Sequence, residues 1–132
     1  MIVLRPDQVQ FGNQTWPAVL RVTVDRLAAR TIEDYDETGP HLVFADVTRR
    51  KAVIRITQEI TADELDDPPL GQVEQLTLIA GTGSDANRRR LTADAMVESV
   101  TSKVTDFGAS RTITLTAVSP DAESDPITIT AL

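Results

Sequence analysis

The chain has 132 residues, of which 41% are hydrophobic and 25% charged, with no cysteine and a formal net charge of -7. That length suffices for one core, so a single β domain over residues 1–132 is the expectation. Disulfides, thiolate zinc sites and cysteine nucleophiles are excluded, and the negative charge opposes tight grip on nucleic acid through counterion release.

No apolar run approaches the roughly 20 residues of a membrane-crossing helix. The opening Met1-Ile2-Val3-Leu4-Arg5-Pro6 has neither a basic n-region nor an apolar h-region of signal length, so synthesis in the cytoplasm is expected.

In chain order, Leu20, Val22 and Val24 alternate with Arg21, Thr23 and Asp25, the period of a half-buried strand. After the acidic stretch 31–37, Gly39-Pro40 predicts a hairpin or corner, and His41 to Val47 resumes as a strand. The basic trio Arg49-Arg50-Lys51 leads into a separate strand, Ala52 to Thr57, with Ile54 and Ile56 on one face. Thr61 with Glu64 has the spacing of a capping box, so at most one short helix is expected, stopped by Asp66-Asp67-Pro68-Pro69.

Val73 to Ala80 reads as a strand, followed by the flexible loop 81–85. From Leu91 to Val104 the signals conflict, because Val97, Val100 and Val104 stand at helical spacing in a Thr- and Val-rich stretch. Strand is the assignment. A turn over 106–110 precedes Thr112 to Thr116, with hydroxyls on one face and aliphatics on the other, and Ile127 to Thr130 forms a last strand. Frequent strands with turn signals between them predict a mainly β fold, an antiparallel sandwich or small barrel.

Candidate chemistry is thin. His41 is the single possible base and has no nucleophile-elbow partner. Glu33, Asp34, Asp36 and Glu37 lack calcium-loop spacing and a second histidine, so they read as a solvated acidic edge. Gly81-Thr82-Gly83-Ser84-Asp85-Ala86 satisfies G-x-G-x-x-A, but the Thr- and Val-rich sequence beyond it denies the helix that a dinucleotide fold requires. Arg88, Arg89 and Arg90 are too few on an acidic domain to mark a phosphate patch, and read as a solvated loop or half of a charged contact. Asn13-Gln14-Thr15 matches a glycosylation sequon without an export signal beside it. Trp16 reads as a core or hairpin anchor. No catalytic residue, cofactor or metal is expected.

Val22-Thr23-Val24-Asp25-Arg26-Leu27, Gly39-Pro40-His41 before the strands around Phe44 and Ile54, the Asp106-Phe107-Gly108 turn, the Thr-Ile-Thr-Leu-Thr strand and Asp125-Pro126-Ile127 form a layout spanning most of the chain. It resembles the tail tube proteins, and related tail proteins, of long-tailed bacteriophages and phage-like particles. The resemblance implies a virion structural subunit that forms stacked hexameric rings around a DNA conduit. It also implies contacts with tape-measure and tail-tip proteins, and DNA only in passage. A surplus of carboxylates suits such a wall, because it repels phosphate. Arg88, Arg89 and Arg90 are then candidates to meet Asp63, Glu64, Asp66 and Asp67 of a neighbour, and Glu33, Asp34, Asp36 and Glu37 to line a lumen or an edge. The alternatives are a tail-tip, distal or connector ring of the same particle and a monomeric ligand-binding β-sandwich module. A third, enzymatic alternative would use the glycine loop for a nucleotide.

Overall fold

The computed structural model describes residues 2–4, 9–61, 68–80 and 88–131. Every regular element among them is a strand: β1 Ile2–Leu4, β2 Val9–Phe11, β3 Gln14–Trp16, β4 Val19–Tyr35, β5 Leu42–Ile60, β6 Val73–Ala80, β7 Arg89–Thr105, β8 Gly108–Val118 and β9 Ile127–Ala131. All belong to one antiparallel sheet in the order β1-β4-β5-β8-β7-β6-β2-β3, with β9 attached to β7 beyond the end of β8. The mainly β assignment holds. The sheet is open, with β1 and β3 at its two ends.

It curls nevertheless. Pro17 and Ala18 alone join β3, at one end of the strand order, to β4, next to the other end. Ala18 adopts the left-handed φ of 54°, and its carbonyl accepts a hydrogen bond from Glu59 N at 3.0 Å. Side chains from both ends therefore share one core: Val9, Phe11 and Trp16 from β2 and β3, and Val22 and Val24 from β4, with Ile54, Ile56, Leu76, Leu78, Ile113 and Leu115 between them. Each such aliphatic, fully buried, contributes about 1.5–3 kcal/mol of transfer free energy. Trp16 is an anchor as expected, stacked on Phe11 with ring centroids 5.0 Å apart.

Bulges correct the alternation read from the sequence. Leu20 stands outside the core at 48% exposure, because the β4–β5 register shifts between Val19 and Arg21. The helix-like spacing of Val97 and Val100 has the same origin. An extra residue in β7 between Val97 and Ser99 returns Val100 to the face that packs on the core. The extra side chain, Glu98, accepts Thr116 Oγ1 at 2.7 Å and Lys51 Nζ at 3.3 Å, and these partners hold its carboxyl below the usual carboxylate range. Thr112 to Thr116 behaves as read, with Ile113 and Leu115 buried and the hydroxyls turned away.

The helix expected from Thr61 and Glu64 lies outside the described residues, as do Asp63, Asp66, Asp67 and the 81–86 loop. That loop nevertheless joins β6 to β7, which pair antiparallel as neighbours. A dinucleotide-binding turn instead leads through a helix to a parallel strand.

Candidate functional site

Two expectations for residues 41–57 are corrected together. The basic trio does not separate two strands, because β5 runs unbroken through Arg49, Arg50 and Lys51 for 19 residues. No Gly or Pro interrupts the chain from His41 to Ile60, and that was the available signal. β5 pairs with the 17-residue β4 along its whole length, from Gln58 opposite Val19 to Leu42 opposite Tyr35. Gly39-Pro40 lies in the 36–41 turn, as expected of a hairpin.

Only part of this hairpin belongs to the body. β1 covers β4 at Val22 to Val24, and β8 covers β5 at Val53 to Ile60. Among the described residues, 25–35 and 42–52 therefore form a two-stranded arm with both outer edges open. At about 3.3 Å per residue it reaches roughly 35 Å. The arm is not uniformly polar: Leu27, Ile32, Tyr35, Leu42, Val43, Phe44 and Val47 are all exposed, Tyr35 at 61% and Phe44 at 51%.

Its charges are segregated. Toward the tip, Glu33 lies opposite Ala45, Asp34 opposite Phe44 and Asp46 opposite Ile32, while Asp36 accepts Thr38 N at 2.8 Å and Glu37 follows in the turn. All five carboxylates are exposed. The acidic-edge reading thus finds Glu33, Asp34, Asp36 and Glu37 together, at the end of the arm. His41 is exposed beside them. Among the described residues, no three of His, Asp and Glu are placed to hold a metal ion.

Toward the root stand Arg26, Arg30, Arg49, Arg50 and Lys51. Arg26 is committed to Asp125, with Nε at 3.2 Å and an Nη at 3.1 Å from one carboxylate oxygen, which ties the 119–126 loop to the arm. Lys51 is committed to Glu98. Arg30 pairs with Arg49 across the ladder, with a register shift on either side, and Arg50 lies opposite Ala28. Between this root and the 119–126 loop runs an open groove of about 810 Å³, bordered by Arg49, Arg50, Ala122 and Asp125 among others.

A second apolar tip lies at the other end of β5. Ile60 pairs with Ala109, next to the two-residue turn Asp106-Phe107 between β7 and β8. The sequence reading placed this turn over 106–110, but Gly108 already pairs with Thr105. Phe107 is 100% exposed and Val104 69%. β5 runs from one tip to the other.

Of the arginines read as a solvated loop or half of a charged contact, Arg88 precedes β7, while Arg89 and Arg90 are solvent-exposed but lie in a strand and not in a loop. Arg89 and Arg90 open β7, held between β6 and β9, and Arg89 donates to the Arg88 carbonyl at 3.0 Å. Their proposed acidic counterparts Asp63, Glu64, Asp66 and Asp67 lie outside the described residues. The arm, its root arginines and the Phe107 tip escaped sequence reasoning, since exposure of an apolar residue is decided by what fails to cover it.

No protein-family model matches this chain, and no curated protein matches it.

Proposed function

We propose that this chain is a structural protein that assembles with copies of itself, as the tail tube subunit of a long-tailed bacteriophage or phage-like particle. Its copies form stacked hexameric rings around a channel that DNA passes through. The observation that carries the reading is the arm at 25–52, a two-stranded ribbon with open edges and exposed apolar side chains. Long apolar edges are an aggregation hazard in a monomer, and a ring removes it by pairing each edge with a neighbour. A lone hairpin is also only marginally stable in water, so a 35 Å arm suits a segment that gains its third strand or its covering face on assembly.

The opposed tips support stacking. Tyr35 and Phe44 at one end of β5 and Phe107 at the other give the subunit an adhesive surface above and below the body. The net charge of -7 suits a wall that phosphate slides past. In this reading the subunit resides in the virion tail after synthesis in the host cytoplasm, and meets tape-measure and tail-tip proteins. The tip carboxylates Glu33, Asp34, Asp36 and Glu37 then lie at a subunit edge. Charged contacts from Arg88, Arg89 and Arg90 to Asp63, Glu64, Asp66 and Asp67 of a neighbour belong to the same proposal.

Negative-stain microscopy of the purified chain tests it. Tubes of stacked rings are expected. Single rings that never stack would favour a connector or tail-tip role, and a monomer at all concentrations by light scattering would favour a ligand-binding module.

A further inference from the structure

The arm brings three exposed arginines close together. Arg30 pairs with Arg49 across the ladder, with a register shift on either side, and Arg50 is the next residue along. None of the three makes an ion pair with another described residue, whereas their neighbours Arg26 and Lys51 do. Asp46 on the arm and Glu123 at the groove are the nearest carboxylates, yet neither forms an ion pair with the three, and the other acidic residues of the arm sit further out. Asp34 is four residues from Arg30, roughly 13 Å along an extended strand, and Asp36 and Glu37 are further still. An extended ribbon cannot fold back to close that gap. A second copy, shifted along the ribbon direction, can.

We propose that the arm of one copy seats its acidic end, Glu33, Asp34, Asp36 and Glu37, against Arg30, Arg49 and Arg50 at the root of the arm in a second copy. This contact rests on the ring-forming reading and specifies which surfaces meet. The occupant is another copy of this chain because the arm carries both halves of the complement, in one order. The open groove at the root, about 810 Å³ and bordered by Arg49 and Arg50, offers the turn a place to enter. Exposed apolar side chains lie among the acidic residues, Phe44 opposite Asp34 and Tyr35 opposite Leu42, with Ile32 between them and Arg30, so the same contact covers them. The contact is head-to-tail: each copy uses its tip on one neighbour and its root on the other, and so closes as a ring or continues as a stack. Charge sets register and partner orientation here, and apolar burial supplies most of the affinity.

A charge-swap experiment on the full chain tests this. One variant carries Arg49→Glu and Arg50→Glu; the other carries Asp34→Arg, Asp36→Arg and Glu37→Arg. Circular dichroism confirms that each folds. Each alone is expected to need at least a tenfold higher concentration than the unaltered chain to assemble, measured by sedimentation velocity. An equimolar mixture is expected to assemble like the unaltered chain, because each reversed tip then finds a reversed root. Assembly of either variant alone at the unaltered concentration overturns the contact, and so does a mixture no better than its components. If the unaltered chain forms rings in those cases, the ring reading stands and only this contact falls. If the unaltered chain never assembles, both fall.

Discussion

Arg111 donates from Nε to Oε1 of Gln58 at 2.9 Å, and the two are the buried polar side chains among the described residues. Gln58 passes the connection on, donating from Nε2 to the Pro17 carbonyl at 3.0 Å, while the Arg111 guanidinium lies 6.0 Å from the Trp16 ring. The chain thereby ties β5 and β8, in the middle of the sheet, to the β3–β4 junction where its two ends meet. Truncating Gln58 takes one hydrogen bond from a buried cation and one from the Pro17 carbonyl. Gln58→Ala is expected to lower stability by about 1–3 kcal/mol, read as a shift of the urea midpoint. A loss under about 0.5 kcal/mol, the range of an ordinary surface change, would mean that the bond does not hold the curl together.

The Phe107 tip should separate folding from assembly. Its side chain is 100% exposed, so Phe107→Ser is expected to leave monomer stability within about 0.5 kcal/mol. Ring stacking should weaken in the same variant, giving shorter tubes by microscopy. Tubes of undiminished length would remove this tip from the stacking contact.

Gly12 lies in the two-residue turn joining β2 to β3, with φ of 60° and its amide bonded to the Gln75 carbonyl at 2.9 Å. A Cβ there would stand 2.9 Å from a carboxylate oxygen of Glu74, at the flexible end of that side chain. The backbone conformation dominates, since an L-residue in this region costs about 1–2 kcal/mol. Gly12→Ala should destabilise by that amount in thermal or urea unfolding, and combining it with Glu74→Ala should recover little. Full recovery would show that the clash, not the φ angle, set the cost.

Asp121 organises the loop that Asp125 fastens to the arm. Its carboxylate accepts Ser124 N and Oγ at 2.7 Å each, Glu123 N at 3.0 Å and Ser119 Oγ at 3.1 Å. These bonds, the Ser124 amide foremost, pull its pKa from 3.8 to about 2. A depressed carboxylate stabilises the fold above its unfolded pKa and loses that contribution as pH falls through the folded value. The loop contribution should therefore be intact above pH 4 and fade between about 4 and 2. Carbon-detected NMR titration of the Asp121 carboxyl gives the midpoint, and a value near 3.8 would show the loop open in solution.

The covering of the arm can be probed by Tyr35→Ser with Phe44→Ser. Both side chains are more than half exposed, so the monomer should unfold at nearly the same urea concentration. Assembly should require a concentration at least tenfold higher, a penalty of about 1.4 kcal/mol or more per contact. Unchanged assembly would leave the apolar arm without a role in subunit contacts.

Sequence periodicity located the strands that build the core, because alternation in Val22 and Val24, Ile54 and Ile56, and Ile113 and Leu115 follows from the two-residue repeat of an extended chain. That repeat is local, and so is the turn chemistry of Gly39-Pro40. Where a bulge adds one residue, the repeat slips, which is why Leu20 seemed to face inward and Val97 and Val100 seemed helical. Composition likewise sufficed to exclude disulfides and thiolate metal sites. Burial of Gln58 and Arg111, by contrast, depends on the curl that brings Pro17 and Trp16 over the middle of the sheet, a contact between residues 41 and more positions apart. The arm is decided at the same level. Nothing local in Leu42 to Lys51 distinguishes it from Ala52 to Ile60, since both are apolar-rich strand. Leu42, Phe44 and Val47 are exposed and Val53, Ile54, Ile56 and Ile60 buried because β8 stops short of the first stretch and covers the second, so which surface is left for a partner is settled only by the sheet.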